Sequence, residues 1–183
     1  MATTKHALVA LVADKPGVLN RIASLFRRRG FNIESIAVGH SEVPNISRVT
    51  IVVDGTTTQV EQVRKQLEKV VDVVKLSDVT GEDTITRELA LIKVKTTSAS
   101  RSEIMQIVDI FRANIVDVAP DSVTVEVTGD EQKVNSLYNL LRGFGIREIA
   151  RTGSIAMTRG SSGSSTVKAR QIKSQDKIKN NKN

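Results

Sequence analysis

A pattern of strand, helix, strand, strand, helix and strand runs twice along this chain. That repetition restricts its folding more than any single motif does. In the first copy, Ala7 to Ala13 is apolar throughout and reads as a strand. Asp14-Lys15-Pro16-Gly17 follows, with Asp14 as the expected helix N-cap and Pro16 in the first helical turn. Val18, Ile22, Leu25 and Phe26 recur at helical spacing, and Arg27-Arg28-Arg29 leads to Gly30, the expected C-cap. Phe31 to Val38 and Ile46 to Val53 read as strands about a turn at Ser41 to Asn45. Val60, Val63, Leu67 and Val70 stripe a second helix, and Val71 to Leu76 returns as a fourth strand.

The second copy is displaced by about 80 residues. Leu89 to Val94 is strand-like, and Ile104, Ile107, Val108 and Phe111 form a helical stripe. Ile115 to Val118 and Val123 to Val127 are strands joined across Ala119-Pro120-Asp121-Ser122. Val134, Leu137, Tyr138 and Leu141 stripe a fourth helix that Gly143 and Gly145 break, and Ile146 to Met157 closes the unit. The predicted class is α+β: two tandem ferredoxin-like βαββαβ modules, each a four-stranded antiparallel sheet with both helices on one face. The expected domains are 4–79 and 85–158, divided near Thr80-Gly81-Glu82-Asp83-Thr84, with a disordered basic tail over 159–183.

The distribution of charge narrows the function. Net charge is +7, but the tail holds seven of the 27 basic residues and one of the 20 acidic ones, so the folded part is close to neutral. A nucleic-acid-binding domain should carry a basic face of its own. An RNA-binding sheet of this type needs stacking aromatics, and the chain has only four Phe and one Tyr, mostly on or beside the expected helices. Cysteine is absent, which excludes disulfides and thiolate chemistry. No apolar run approaches the ~20 residues of a membrane span, and the start reads as no secretory signal. There is no phosphate-cradling glycine loop, metal-spaced cluster or nucleophile elbow. His6 is expected at the start of a strand and His40 in a turn, neither as a catalytic acid or base. No catalytic residue is expected in this chain. A nucleic-acid regulator acting through the basic tail, and a small ferredoxin-like enzyme, are the alternatives.

The candidate site lies between the first strand and the first helix. Asp14-Lys15-Pro16-Gly17-Val18-Leu19 places unpaired backbone N–H groups at a helix N-terminus, where the dipole favours an anion. Gly17 lets a small ligand approach the main chain closely. A free amino acid suits this arrangement: its carboxylate meets the N–H groups, and Asp14 and Asn32 offer acceptors to its ammonium.

Several blocks in sequence carry a family resemblance. DKPGVLNRIASLFRRRGFNIESIAVG, ISRVTIVV and QLEKVVDVVKL resemble the amino-acid-binding ACT module of acetolactate synthase small subunits. RELALIKV, IFRANIVDVAPDSVTVEVTG and IARTGSIAMTRG resemble that family's C-terminal domain, so the likeness spans roughly residues 5–160. It implies a homodimer in which ACT modules pair side by side through the first helix and the edge strand, with the effector at the junction. Main-chain groups of Gly17, Val18 and Leu19 would hold the effector beside Pro16, with Asp14 orienting it and Asn32 and Ile33 of the facing module completing the pocket. The family carries Asn or Asp at the position of Asp14, and an Asp suits the ligand when it faces the ammonium. The second strand–helix connection, Thr96-Thr97-Ser98-Ala99-Ser100-Arg101-Ser102, lacks this motif, so no equal site is expected there.

The implied effector is valine, with leucine and isoleucine as alternatives. The implied partner is the large catalytic subunit, which would carry thiamine diphosphate, Mg²⁺ and FAD, none of them on this chain. The implied role is feedback inhibition and activation in branched-chain amino-acid synthesis. The Lys- and Asn-rich tail suits an AT-rich genome, so the expected location is the cytoplasm, or the plastid stroma for a plastid-encoded chain, with no membrane partner.

Overall fold

The computed structural model describes residues 5–55, 57–80 and 83–160, and of 57–59 the backbone only; the tail from 161 onward lies outside them. The chain divides into two compact units, one running to Ile85 and resuming at Ala156, the other Thr86–Ile155.

The first unit contains β1 (Lys5–Ala13), α1 (Val18–Arg29), β2 (Ile33–His40), β3 (Ile46–Asp54), α2 (Thr57–Leu67) and β4 (Val73–Asp78). Its antiparallel sheet has the order β2-β3-β1-β4, leaving β2 and β4 as edges. Leu8, Ala10 and Val12 alternate onto one face, where Val49, Ile51 and Val53 of β3 join them. Val18, Ile22, Leu25 and Phe26 of α1 and Val60, Val63 and Leu67 of α2 close over that face. Each fully buried Leu, Ile or Phe contributes about 1.5–3 kcal/mol. Val9, on the opposite face of β1, packs with Val79 and Ala156. Cover on both faces is why Ala7 to Ala13 reads as an unbroken apolar run.

Gly30 ends α1 in the left-handed conformation (φ 67°). Its N–H bonds Arg27 O, and that of Phe31 reaches back to Phe26 O, a Schellman closure. The expected cap therefore forms, and the Phe31 ring packs edge-on to Phe26 with centroids 6.4 Å apart. Phe31 is thus used to seal the helix, and the strand begins at Ile33 rather than Phe31. It also runs on to His40, which ends β2 instead of lying in a turn. Likewise β4 starts at Val73, because the chain first turns at Val70 (Val73 N–H to Val70 O, 2.9 Å).

The second unit is built from β5 (Thr84–Lys95), α3 (Arg101–Ile110), β6 (Asn114–Ala119), β7 (Ser122–Gly129), α4 (Glu131–Leu141) and β8 (Ile146–Arg151). The order β6-β7-β5-β8 repeats that of the first sheet. Ala90, Ile92 and Val94 meet Val123, Val125 and Val127 beneath Ile104, Val108, Val134, Leu137 and Leu141. The stretch expected as one closing strand is two. It breaks at Thr152-Gly153-Ser154, where Gly153 takes φ 82°, and resumes as β9 (Ile155–Thr158), which pairs with β5. The second sheet thus has five strands, not four. β5 also starts five residues before the expected Leu89, because Thr84 to Glu88 carries charge that hides its strand character. With these corrections, the chain adopts the predicted α+β class and tandem ferredoxin-like modules.

Candidate functional site

The turn from β1 to α1 differs from its sequence reading in one respect that matters. Gly17, not Asp14, is the N-cap, and its φ 87°, ψ −9° is the third-residue geometry of a type II turn with Pro16 before it. Pro16 therefore lies outside the helix, which begins at Val18. Asp14 is not available to cap. Its carboxylate Oδ2 lies 3.2 Å from His40 Nδ1, and its N–H donates to Asn45 O at 2.8 Å, which fixes the start of the loop to the β2–β3 turn.

A glycine cap has no side-chain oxygen, and no side chain caps α1. Arg21 N–H is the first to bond within the helix, to Gly17 O. The N–H groups of Val18, Leu19 and Asn20 precede it at the positive end of the dipole, with no carbonyl a turn earlier to receive them. A Cβ at Gly17 would meet nothing within 4 Å, so the space before these groups is open. Val18 turns its side chain into the core, while Leu19 is 46% exposed.

The residue that sequence reasoning missed is Asp72, in the turn between α2 and β4. Its side chain is 1% exposed, and it takes two cations from the candidate loop: Lys15 Nζ at 2.6 Å from Oδ1, and the Arg21 guanidinium on Oδ2. The Lys15 contact is an ion pair, its ammonium within 2.6 Å of the buried carboxylate. The Asp72 carbonyl also accepts Ala13 N–H at 2.9 Å. Lys15 first and Arg21 with it hold the Asp72 carboxyl below the ordinary carboxylate range, outweighing the burial that raises it. Asp72 thus draws both cations to one point beside the α1 N-terminus, where Asp14, in the same turn, adds a second carboxylate. The only sequence signal was a lone acid inside the apolar run Val70 to Val74.

Asp14, Pro16, Gly17, Val18 and Leu19 thus lie together, but Asn32 and Ile33 do not join them within one chain. They lie past the far end of the 12-residue α1, about 18 Å along its axis. Asn32 is exposed and donates its amide to Glu34 Oε1 at 2.9 Å, which leaves its carbonyl oxygen as an acceptor.

The matching loop of the second module is closed on itself. Thr97 N–H bonds Ser100 Oγ and Ser100 N–H bonds Thr97 Oγ1, at 2.9 and 3.2 Å, and Glu103 places a negative charge in the first turn of α3. Among the described residues, no group of three or more His, Asp and Glu could hold a metal ion, and no helix is long and apolar enough to cross a membrane.

Two ferredoxin-like modules in tandem, the first with an uncapped helix N-terminus beside a paired Lys and Arg, define a class of small two-module α+β protein. Residues 8–75 match the family model described as the AHAS small subunit-like ACT domain, and residues 87–160 that of the small subunit of acetolactate synthase. A probable acetolactate synthase small subunit of Methanothermobacter thermautotrophicus is 54% identical over 162 residues, 88% of this chain and 96% of that protein. The acetolactate synthase small subunit of Mycobacterium bovis is 50% identical over 168 residues, 92% of this chain and all of that one. The crystal structure of the acetolactate synthase small subunit from Thermotoga maritima superposes with a TM-score of 0.79 at 46% identity, covering 85% of this chain and 98% of that chain. The chain belongs to the acetolactate synthase small subunit family.

Proposed function

We propose that this chain binds valine between two copies of its first module and thereby regulates the large catalytic subunit of acetolactate synthase. One observation carries the reading: the two halves of the candidate site lie at opposite ends of one edge strand. Asn32 and Ile33 precede or open β2, and His40, held to Asp14, ends it. Antiparallel two-fold pairing of β2 with β2 places the start of one strand beside the end of the other. Each Gly17 turn then meets the partner's Asn32 and Ile33, and neither copy alone completes a site.

The edge itself supports this pairing. Ile36 and Val38 lie opposite the fully buried Ile51 and Val49, on the helix-covered face, yet are 41% and 47% exposed because no strand lies beyond them. Leu19 adds an exposed apolar side chain at the His40 end. A second β2 would cover all three and would pair the free edge N–H and C=O groups. In the completed site the ligand carboxylate faces the N–H groups of α1, and its ammonium faces Asn32 Oδ1 and the Asp14 carboxylate. A branched apolar side chain suits the Leu19 and Ile33 walls, for leucine and isoleucine as well as valine.

Regulation follows from differential affinity. Valine stabilises the paired arrangement, so it inhibits only if that arrangement restrains the catalytic subunit more than the unliganded one does. The reaction regulated would be condensation of pyruvate into acetolactate, in branched-chain amino-acid synthesis, in the cytoplasm or a plastid stroma. Thiamine diphosphate, Mg²⁺ and FAD are assigned to the large subunit.

Isothermal titration of valine into the parent chain and into Gly17→Asp tests the proposal. Saturable heat in the parent and its loss in the variant is the expected result. In mixtures with the large subunit, the variant should activate but resist valine. Loss of both effects would remove the case for a dedicated effector site.

A further inference from the structure

We infer that Asp72 is the positioning residue of the effector site: it touches no ligand, but holds the α1 N-terminus and its two cations where a carboxylate can use them. The inference rests on the reading of that N-terminus as the valine carboxylate site. Three ties run from this one residue to the loop. Its carbonyl holds Ala13, where β1 ends; one carboxylate oxygen holds Lys15, inside the turn; the other holds Arg21, on the first turn of α1. The span 13–21 contains every main-chain group assigned to the ligand, and Asp72 is anchored at the start of β4, next to Val73, which pairs with Val12.

The contrast in exposure gives the direction of the effect. Lys15 and Arg21 have side chains 51% and 59% exposed, so each would be mobile on its own. Asp72 is buried, and a buried carboxylate with two cationic partners has few alternative geometries. Order therefore passes from the rigid anion to the exposed cations and the turn they flank. Gly17 makes this support necessary, because a glycine-capped helix start lacks the side-chain hydrogen bond that fixes other helix ends. In α4 the equivalent task falls to Asp130, which accepts Lys133 N–H at 2.8 Å. Such a cap at α1 would occupy the N–H groups the ligand needs. Bracing the turn from behind, through Asp72, leaves them free.

Charge and position predict opposite signs, which separates them. Asp72→Asn raises the local charge. If Asp72 only tempered the positive field, this change would tighten valine binding. A positioning role requires weaker binding, by about tenfold, as for other supporting residues behind a ligand site. The double variant Asp72→Asn with Arg21→Met restores the parent's net charge. Charge alone predicts tighter binding in Asp72→Asn and parent-like affinity in the double variant, whereas positioning predicts that the double binds no better than either single variant.

The experiment is isothermal titration of L-valine into the full-length parent, Asp72→Asn, Arg21→Met and the double variant, with a thermal melt on each. The expected result is comparable loss in both single variants and no recovery in the double. Parent-like or tighter binding by folded Asp72→Asn overturns the positioning role while leaving the effector site standing. Additive losses in the double variant overturn it too, since Asp72 and Arg21 would then act separately. Absence of binding in the parent overturns both readings. If Asp72→Asn does not fold, Arg21→Lys decides: it keeps the charge but not the planar guanidinium, and unchanged affinity overturns the role, whereas several-fold weaker binding supports it.

Discussion

Gly17 and Asp72 divide the work of one turn at the residue scale. Gly17 supplies a left-handed backbone and an empty space in front of it; Asp72 supplies the order that a glycine cap cannot. An aspartate at position 17 would add strain of about 1–2 kcal/mol from the positive φ, besides its charge. Asp72 also makes stability depend on pH. Its folded value is depressed, so its contribution is present above the unfolded carboxylate value of about 3.9 and is lost as pH falls through the lower folded value. Denaturant midpoints of the parent and Asp72→Asn should therefore differ at about pH 6, and the gap should begin to close only as pH falls below about 4. A gap that stays constant below that pH would mean that the carboxylate charge is not what Asp72 contributes. Gly17 was legible in the sequence as the residue that opens the turn to a ligand, but not as the helix cap, since Asp14 offered a capping side chain three residues earlier. Asp72 was not, because a lone acid in a valine-rich stretch carries no sign of what lies across from it.

Edge strands decide the behaviour of the elements. β2 has the same alternation as its neighbours, but lies at the end of the sheet order, so Ile36 and Val38 are half-exposed although they lie on the covered face. With copies paired through β2 as proposed, Val38→Lys should leave the core of each copy intact and shift sedimentation from dimer to monomer, with valine binding falling in parallel. Dimer of unchanged affinity would place the copies' contact elsewhere. The boundaries of β2 and β4 were misread by two residues each, since apolar residues at their starts serve other purposes. Phe31 seals the end of α1, and Val71 lies 77% exposed in the turn before Asp72. Periodicity shows that a residue is apolar without showing which neighbour claims it.

The two modules of the whole molecule share an order of elements but not an open helix end. Thr97 and Ser100 satisfy each other at the start of α3, whereas α1 keeps its N–H groups free. Truncation after Gly160, where the second family match ends, should shift the melting midpoint by no more than about 2 °C and leave the heat of valine binding unchanged. A loss of either would give the basic tail a part in folding or in the site.

The sequence by itself determined the class of fold, the repeat and the one strand–helix turn built on Pro16-Gly17. Each of these is written in local periodicity and in residues with restricted backbones, which act within a few positions of themselves. Only the tertiary structure decided that Gly17 caps the helix while Asp14 pairs with His40. It alone brought Asp72 from 51 residues away to hold Arg21. Charge pairing and strand order act across space between segments remote in sequence, and no local pattern records which partners they will bring together.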